Sequence, residues 1–344
     1  VLSGEITLPV SKSAAHRAVI CSALARMTED RIDLGNETSL SDDIRITRIA
    51  MRDLLAGRDE IFCGESGSTL RFLVPVAAAL GKCVTFTGTG RLPFRPLKEY
   101  LYAFENKGTL LRFPDDTSRS LPLKISGKLG FGVFKIPGNV SSQYVSGLLM
   151  ALPLLDGDSE ISLSSDLESS GYVDMTIRIM KDFGVTAVRR KNDFYISGRQ
   201  KYTDIDYKVE GDHSAAAFWL VANYLGGDIR LEGLSGSSDQ GDSKITDILG
   251  NYAQMKEGRT ECGIRGYSPV VEIDVSDIPD LVPVLCVAAA ATDAITVFKG
   301  ASRLRLKESD RIMSSVRMIS SIGGKAEDTA DGIRISGSEE IFTG

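Results

Sequence analysis

A surplus of positive charge is missing from this chain: 40 basic residues stand against 46 acidic ones over 344 residues, a formal charge of −6. That balance excludes a protein that grips nucleic acid through a broad basic face. Any bound anion must be held by local clusters. Metal-ligand spacing is also missing. The five cysteines, Cys21, Cys63, Cys83, Cys262 and Cys286, form no zinc-type pattern, and Cys21 and Cys286 lie in apolar helical runs, where a reduced core thiol is the ordinary role. No apolar run is long enough to span a bilayer, because the stretch from Leu281 to Ala291 is short and broken by Pro283. No secretory leader is read, so a soluble cytoplasmic protein is expected. The pattern G-x-x-x-x-G-K-[ST] does not occur, which excludes a P-loop kinase. What is present, 42% hydrophobic and 25% charged residues, suffices for two substantial cores.

Five times a short polar knot runs into an apolar helix: SKSAAHRAVI from Ser11, GESGSTLRFL from Gly64, GNVSSQYVSGLLM from Gly138, GDHSAAAFWLV from Gly211 and DIPDLVPVLCVAAA from Asp277. Free N–H groups and the positive dipole end at a helix start accept phosphates and carboxylates, particularly beside Ser, Lys and Arg. A second block also recurs, with helix, glycine stop and hairpin ending at Gly127, Gly198 and Gly337. The unit is therefore helix, hairpin, strand, helix, strand, which predicts α/β layers. Two places break the period: after the helix around Ile44 to Leu55, and after ITDILGNYAQM. The last copy should lead into a sixth knot, but the sequence stops at Gly344. Internal and C-terminal pieces of a longer protein are expected to be missing.

At the first knot, Lys12, Ser13 and Arg17 are expected to meet ahead of a buried stripe of Ala15, Val19 and Ala23. Cations in a first turn conflict with the dipole, and an anionic ligand would relieve the conflict; a solvated pair is the alternative. At the second knot, Gly64 and Gly67 mark close backbone approach, with Arg71 one turn in. Next, Arg91 and Arg95 bracket a Pro-fixed turn, and Pro96 is expected to start a helix. Arginine suits bidentate capture of carboxylate or phosphate. Ser141, Ser142 and Gln143 make a neutral phosphate cradle. Ser169 and Tyr172 add hydroxyls, with an N-cap as the alternative for Ser169, and Asp174 reads as a first-turn dipole partner. Asp280 opens an apolar helix either as a cap or as a general base, and Arg303, Arg305, Lys307, Glu308, Asp310 and Arg311 form a charge run.

KSAAHR, GESGSTLR, LPFRP, GNVSSQY, VEGD, DIPD and KESDR stand in the order found in the 3-phosphoshikimate 1-carboxyvinyltransferase (EPSP synthase) family, which the whole chain resembles. The resemblance implies a two-lobed α/β enolpyruvyl-transferase fold of repeated βαβαββ units, an inside-out α/β barrel with its sixth unit incomplete. It divides the chain into a first lobe of three units over 12–209 and a second lobe of 1–11 with 210–344. It implies transfer of enolpyruvyl from phosphoenolpyruvate to the 5-hydroxyl of shikimate 3-phosphate by a monomer, without cofactor or metal. By position, Lys12, Ser13, Arg17, Ser141, Ser142, Gln143, Ser169, Tyr172, Asp280 and Lys307 would hold shikimate 3-phosphate. Lys12, Gly67, Arg95, Gln143 and Arg311 would surround phosphoenolpyruvate, and Asp280, Glu308 and Lys12 would carry the chemistry. The family's Asp-His-Arg helix start and C-terminal Lys are not in this sequence. Glu65 and Arg303 stand where other members have Asn. The alternatives are the sister enzyme acting on a UDP-linked amino sugar, which typically uses a loop cysteine, and a noncatalytic anion-binding fragment.

Overall fold

The computed structural model describes residues 2–28, 30–35, 40–116, 119–235, 238–252, 270–307 and 309–338. The chain divides into two compact units, Pro9–Glu210 and Val1–Leu8 with Gly211–Gly344, and crosses between them after Leu8 and after Glu210.

In the unit Pro9–Glu210 the helices are α1 (Lys12–Arg26), α2 (Asp42–Leu55), α3 (Gly67–Ala79), α4 (Glu99–Ala103), α5 (Ser142–Ala151) and α6 (Ser170–Asp182). Two four-stranded sheets repeat one plan. In the first, Glu60–Phe62 pairs parallel with Val84–Thr87, which pairs antiparallel with Leu123–Gly127, itself half of a hairpin with Thr109–Arg112. In the second, Gly132–Ile136, Ser159–Leu163, Asp193–Ile196 and Val188–Arg190 take the same order and senses. Among the described residues a third sheet has two strands, Tyr207–Lys208 parallel to Ile32–Asp33, without a hairpin, and α2 is followed within a few residues by Glu60–Phe62.

The two helices of each repeat differ for a reason legible in their residues. The first helices, α1, α3 and α5, are buried on almost every side, α1 continuously from Ala14 to Leu24 with His16, Arg17 and Ser22 enclosed. α3 and α5 are mostly apolar, and a helix without a polar face must sit inside other structure. The second helices α2 and α6 bury one face, Ile44, Thr47, Met51 and Leu54 in α2 and Val173, Thr176, Ile179 and Met180 in α6. The starts of the inner helices are the knots read from the sequence. Gly147 lets α5 lie against α3: a Cβ there would stand 2.4 Å from Arg71 O and 2.8 Å from Tyr100 Oη. One apolar cluster, including Phe72, Phe86, Tyr100, Phe134, Tyr144 and Phe194, fills the interior.

The other unit carries α7 (His213–Tyr224), helical residues 245–252 (α8), α9 (Val282–Ala290) and α10 (Arg311–Ser321). Its four-stranded sheet again runs Val270–Asp274, Ile295–Lys299, Gly332–Ser336, Lys325–Thr329, with a parallel pair followed by two antiparallel ones. A two-stranded sheet pairs Ser3–Thr7 with Asp228–Glu232 in parallel. A separate core surrounds Tyr252, Phe298, Leu285 and Ile312. The second break read in the sequence falls on residues 253–269, and the stretch after the last hairpin on 339–344, all outside the described residues. Among the described residues no helix is long and apolar enough to cross a membrane.

Pro96 does not begin a helix, as its position suggested. The turn Leu92–Phe94 is 3-10, and α4 starts only at Glu99. The Pro96 carbonyl instead accepts from the side chains of Arg71 and Tyr144.

Candidate functional site

Three helix starts in the unit Pro9–Glu210 share an electrostatic character. Ser11 caps α1 by accepting from Ala14 N at 3.4 Å, Ser66 caps α3 from Thr69 N at 3.2 Å, and Ser141 caps α5 from Gln143 N at 3.3 Å. None of these helices has an acidic residue in its first turn. Their positive dipole ends are capped by neutral hydroxyls and stay uncompensated, which favours an anion.

The second and third knots converge around Gly67. A Cβ on Gly67 would stand 2.5 Å from Arg95 Nη1 and 2.9 Å from Arg71 Nη1, so only glycine allows two guanidiniums to approach this helix start. Arg71 is buried. It donates from Nη1 to Gln143 Oε1 at 2.8 Å and from Nη2 to Pro96 O at 2.8 Å, and it lies 5.2 Å from the Tyr144 ring centroid. Gln143 Nε2 donates to Ser68 Oγ at 2.8 Å, so both ends of its amide are committed. Tyr144 Oη also lies 2.6 Å from Glu99 Oε2. Arg95 follows the 3-10 turn in extended backbone. Gly67, Ser68, Arg71, Arg95 and Gln143 thus form one cluster.

Arg17 organises a second cluster. It is 3% exposed and donates from Nε to Thr176 Oγ1 at 2.6 Å, from Nη1 to Ser13 O at 2.6 Å, and from Nη2 to Ser146 Oγ at 3.2 Å and Tyr172 O at 3.0 Å. These bonds tie the starts of α1 and α6 to the body of α5. Burial draws its guanidinium down to about 10, still cationic at neutral pH. Ser169 is buried in left-handed backbone at φ 56° and its carbonyl accepts from Tyr172 N at 3.2 Å. A non-glycine residue in that conformation is strained by about 1 kcal/mol or more. Ser142 is buried and Ser141 half-buried at the start of α5. Lys12 is half exposed and pairs with Asp43 at 3.2 Å, whereas Arg17 turns inward. Five residues on a helix separate them by well over a quarter turn.

In the unit containing Gly211–Gly344, Asp280 lies on the 3-10 turn Pro279–Leu281 ahead of α9 and forms an ion pair with Arg311, the first residue of α10. The charge run is divided among partners. Arg303 donates to Ser276 O at 2.9 Å, and Arg305 binds Asp328 and Thr329 O. Lys307 is half-buried in extended backbone after the 3-10 turn Ser302–Leu306. Glu308 lies outside the described residues. Nearby, Asp242 is buried, with its Oδ2 accepting from Ser214 and its Oδ1 without a hydrogen-bond partner among the described residues. Burial, and then the charge of Asp280, push its carboxyl up to about 7.

Comparison with known proteins decides the family. The family model described as EPSP synthase (3-phosphoshikimate 1-carboxyvinyltransferase) matches residues 32–344. The chain belongs to the EPSP synthase family. A protein of Clostridium acetobutylicum named 3-phosphoshikimate 1-carboxyvinyltransferase is 39% identical, covering 100% of this chain and 84% of the relative. One of Clostridioides difficile with the same name is 38% identical, with the same two shares. The first match runs over 366 positions, more than the 344 residues here, so that relative has residues inside the matched span that this chain does not. An EPSP synthase structure from Acinetobacter baumannii has the same α/β fold, with a TM-score of 0.75 at 22% identity over 98% of this chain and 82% of that one.

Within this EPSP synthase fold, sequence reasoning passed over the residues that hold others in place. Arg71 sits in a quoted motif, yet nothing in the spacing shows that it grips both Gln143 and Pro96. Ser146 and Thr176 read as ordinary polar positions on helices and are the acceptors of Arg17. Asp174 is not a dipole partner; its carboxylate pairs with Arg189 at 3.0 Å, beyond the reach of the first turn.

Proposed function

We propose that this chain transfers the enolpyruvyl group from phosphoenolpyruvate to the 5-hydroxyl of shikimate 3-phosphate, releasing phosphate. The observation that carries this reading is the cluster of Gly67, Ser68, Arg71, Arg95 and Gln143 between two hydroxyl-capped helix starts, in a chain of the EPSP synthase family. Two substrates with several negative charges need such sites in an otherwise acidic protein.

Shikimate 3-phosphate is assigned to Lys12, Ser13, Arg17, Ser141, Ser142, Gln143, Ser169, Tyr172, Asp280 and Lys307. Because Arg17 already donates to four protein acceptors, its contribution is chiefly to fix Ser13 and Tyr172. Phosphoenolpyruvate is assigned to Lys12, Gly67, Arg95, Gln143 and Arg311, with Arg95 as the guanidinium for its carboxylate or phosphate.

The chemistry is addition followed by elimination. The 5-hydroxyl oxygen bonds to C2 of phosphoenolpyruvate while Asp280 takes the hydroxyl proton and the methylene carbon gains a proton from Glu308. The tetrahedral adduct then loses phosphate by C–O cleavage, and the Glu308 carboxylate takes back a methyl proton as the vinyl group is restored. Lys12 assists the departing phosphate. Asp280 is paired with Arg311, and a carboxylate is the form a base must have. No cofactor enters these steps, and the protein is taken as a cytoplasmic monomer.

The test is phosphate release by the full-length protein with both substrates present and each omitted in turn. Release only with both supports the reading. Release with phosphoenolpyruvate alone would make the protein a phosphatase instead.

A further inference from the structure

A chain of buried hydroxyls and one imidazole crosses the helices of the unit Pro9–Glu210, and none of the assignments above uses it. His16 of α1 is 1% exposed, and its Nδ1 lies 2.6 Å from Thr47 Oγ1 of α2. Thr47 Oγ1 lies 2.6 Å from Thr69 Oγ1 of α3, and Thr69 Oγ1 donates to Ser66 Oγ at 2.8 Å. Ser66 is the cap of α3, immediately before Gly67. Thr47 and Thr69 are fully buried.

Proton accounting gives the chain a direction. Thr69 spends its one hydroxyl proton on Ser66 Oγ, so the 2.6 Å contact between Thr47 and Thr69 is donated by Thr47. That leaves Thr47 no proton for His16, so the tautomer with Nδ1–H completes the chain and Nε2 carries the bare lone pair. Nε2 is buried without a hydrogen-bond partner among the described residues. Burial, and then the charges of Lys12 and Arg17, push the imidazole down to about 3, so it stays neutral at working pH. Donation runs from His16 through Thr47 and Thr69 to Ser66, and each bond polarises the next.

Taking the enolpyruvyl-transfer reading as its basis, we infer that His16, Thr47, Thr69 and Ser66 form a positioning brace that fixes the start of α3 relative to α1, and so selectively sets the fit of phosphoenolpyruvate at Gly67 and Arg95. The selectivity follows from which helices are tied by other means. Arg17 already links α1 to α5 and α6 through Ser146, Thr176 and Tyr172 O, so the shikimate 3-phosphate residues keep their spacing without the brace. Gln143 links α3 to α5 through Arg71 and Ser68. Those links connect α3 to α1 by way of α5; the brace adds a second route by way of α2, and it ends on Ser66 immediately before Gly67. Asp43, whose carbonyl faces Thr47, also holds Lys12, a residue assigned to both substrates, by its carboxylate at 3.2 Å.

The test uses Thr47→Val, which removes the hydroxyl, and Thr47→Ser, which restores it, in the full-length protein. Steady-state KM is measured for each substrate, with shikimate 3-phosphate Kd by calorimetry. Thr47→Val is expected to raise KM for phosphoenolpyruvate about tenfold, with KM and Kd for shikimate 3-phosphate within about twofold of the parent, and Thr47→Ser should recover most of the loss. Both KM values unchanged, both raised alike, or no recovery in Thr47→Ser would overturn the brace. If Thr47→Val does not fold, His16→Asn, which keeps a donor near Nδ1, is compared with His16→Leu, which has none; equal KM for phosphoenolpyruvate in the two would overturn it. A parent protein that releases no phosphate overturns the enolpyruvyl-transfer reading and the brace with it. A parent that turns over while Thr47→Val keeps the parent KM overturns the brace alone.

Discussion

The two units cap their helices differently. In Pro9–Glu210, α1, α3 and α5 are capped by Ser11, Ser66 and Ser141, with Ser169 at the cap position of α6. In the other unit, Asp212 caps α7 by accepting from Ala215 N at 2.9 Å, Asp310 caps α10 from Met313 N at 3.1 Å, and Asp280 stands in the turn before α9. A carboxylate cap satisfies the orphan N–H groups and also neutralises the dipole, whereas a hydroxyl cap does only the first. Helix starts of one unit are thus left receptive to anions, and those of the other supply negative charge of their own. That division suits a reaction in which cationic surfaces hold phosphates and a carboxylate moves a proton. α2, with Asp42 and Asp43 in its first turn, and α4, with Glu99, are the exceptions in the first unit. Neither start is among the knots.

The strongest way to break this contrast is Asp280→Ala, which should lower turnover by about 10²–10⁴-fold with little change in shikimate 3-phosphate Kd. Steady-state kinetics with calorimetry check this; normal turnover with a lowered melting temperature would make Asp280 only structural. Arg95→Ala should reduce kcat/KM for phosphoenolpyruvate by about 2 kcal/mol, the low end for a charge contact because Arg95 is only half-buried. Unchanged kinetics would remove it from the site. A reciprocal exchange of caps sharpens the comparison further. Ser141→Asp should weaken shikimate 3-phosphate binding about tenfold or more by calorimetry, since it sets like charge beside the phosphate cradle. Asp212→Ser, in contrast, should leave that affinity unchanged and alter stability by at most about 1 kcal/mol.

Smallest and most diagnostic are opposite pH slopes of stability. His16 is held below its ordinary value near 6.5, at about 3, so between these values the unfolded chain binds the extra proton. Stability should then fall as pH drops, by up to about 1.4 kcal/mol per unit, and His16→Asn should flatten this slope in denaturant titrations. Asp242 is raised to about 7 from near 3.9, so the folded protein holds the extra proton. Its contribution is complete below the unfolded value and is lost as pH rises towards 7, and Asp242→Asn should remove that loss.

Much of the repeat was legible because it is written in backbone requirements. Hairpins ending at Gly127, Gly198 and Gly337 and helix starts after Ser11, Ser66 and Ser141 follow from turn and cap chemistry confined to a few residues. Cys21 and Cys286 are fully buried, as their apolar runs implied. Partner choice was less legible. Arg17 and Lys12 share a motif but end in a buried network and a surface ion pair, because helical phase and neighbouring helices decide which cation is enclosed. Arg71, Thr47 and Asp242 carry no local mark of their roles: each acts through side chains from other helices or turns. Pro96 misled for a similar reason, since its carbonyl was already claimed by Arg71 and Tyr144.

The order of assembly follows from the two chain crossings. Pro9–Glu210 is continuous in sequence, and its two ends meet where Ser11 N donates to Glu210 O at 2.8 Å. The strand Ser3–Thr7, however, must find Asp228–Glu232 from the opposite flank of that inserted block. Once the block has folded, the ring to be closed shrinks from more than two hundred residues to a few tens, which lowers the entropic barrier by about 2 kcal/mol. The enclosed unit is therefore expected to form first and to act as a clasp that brings the amino-terminal strand to its neighbour.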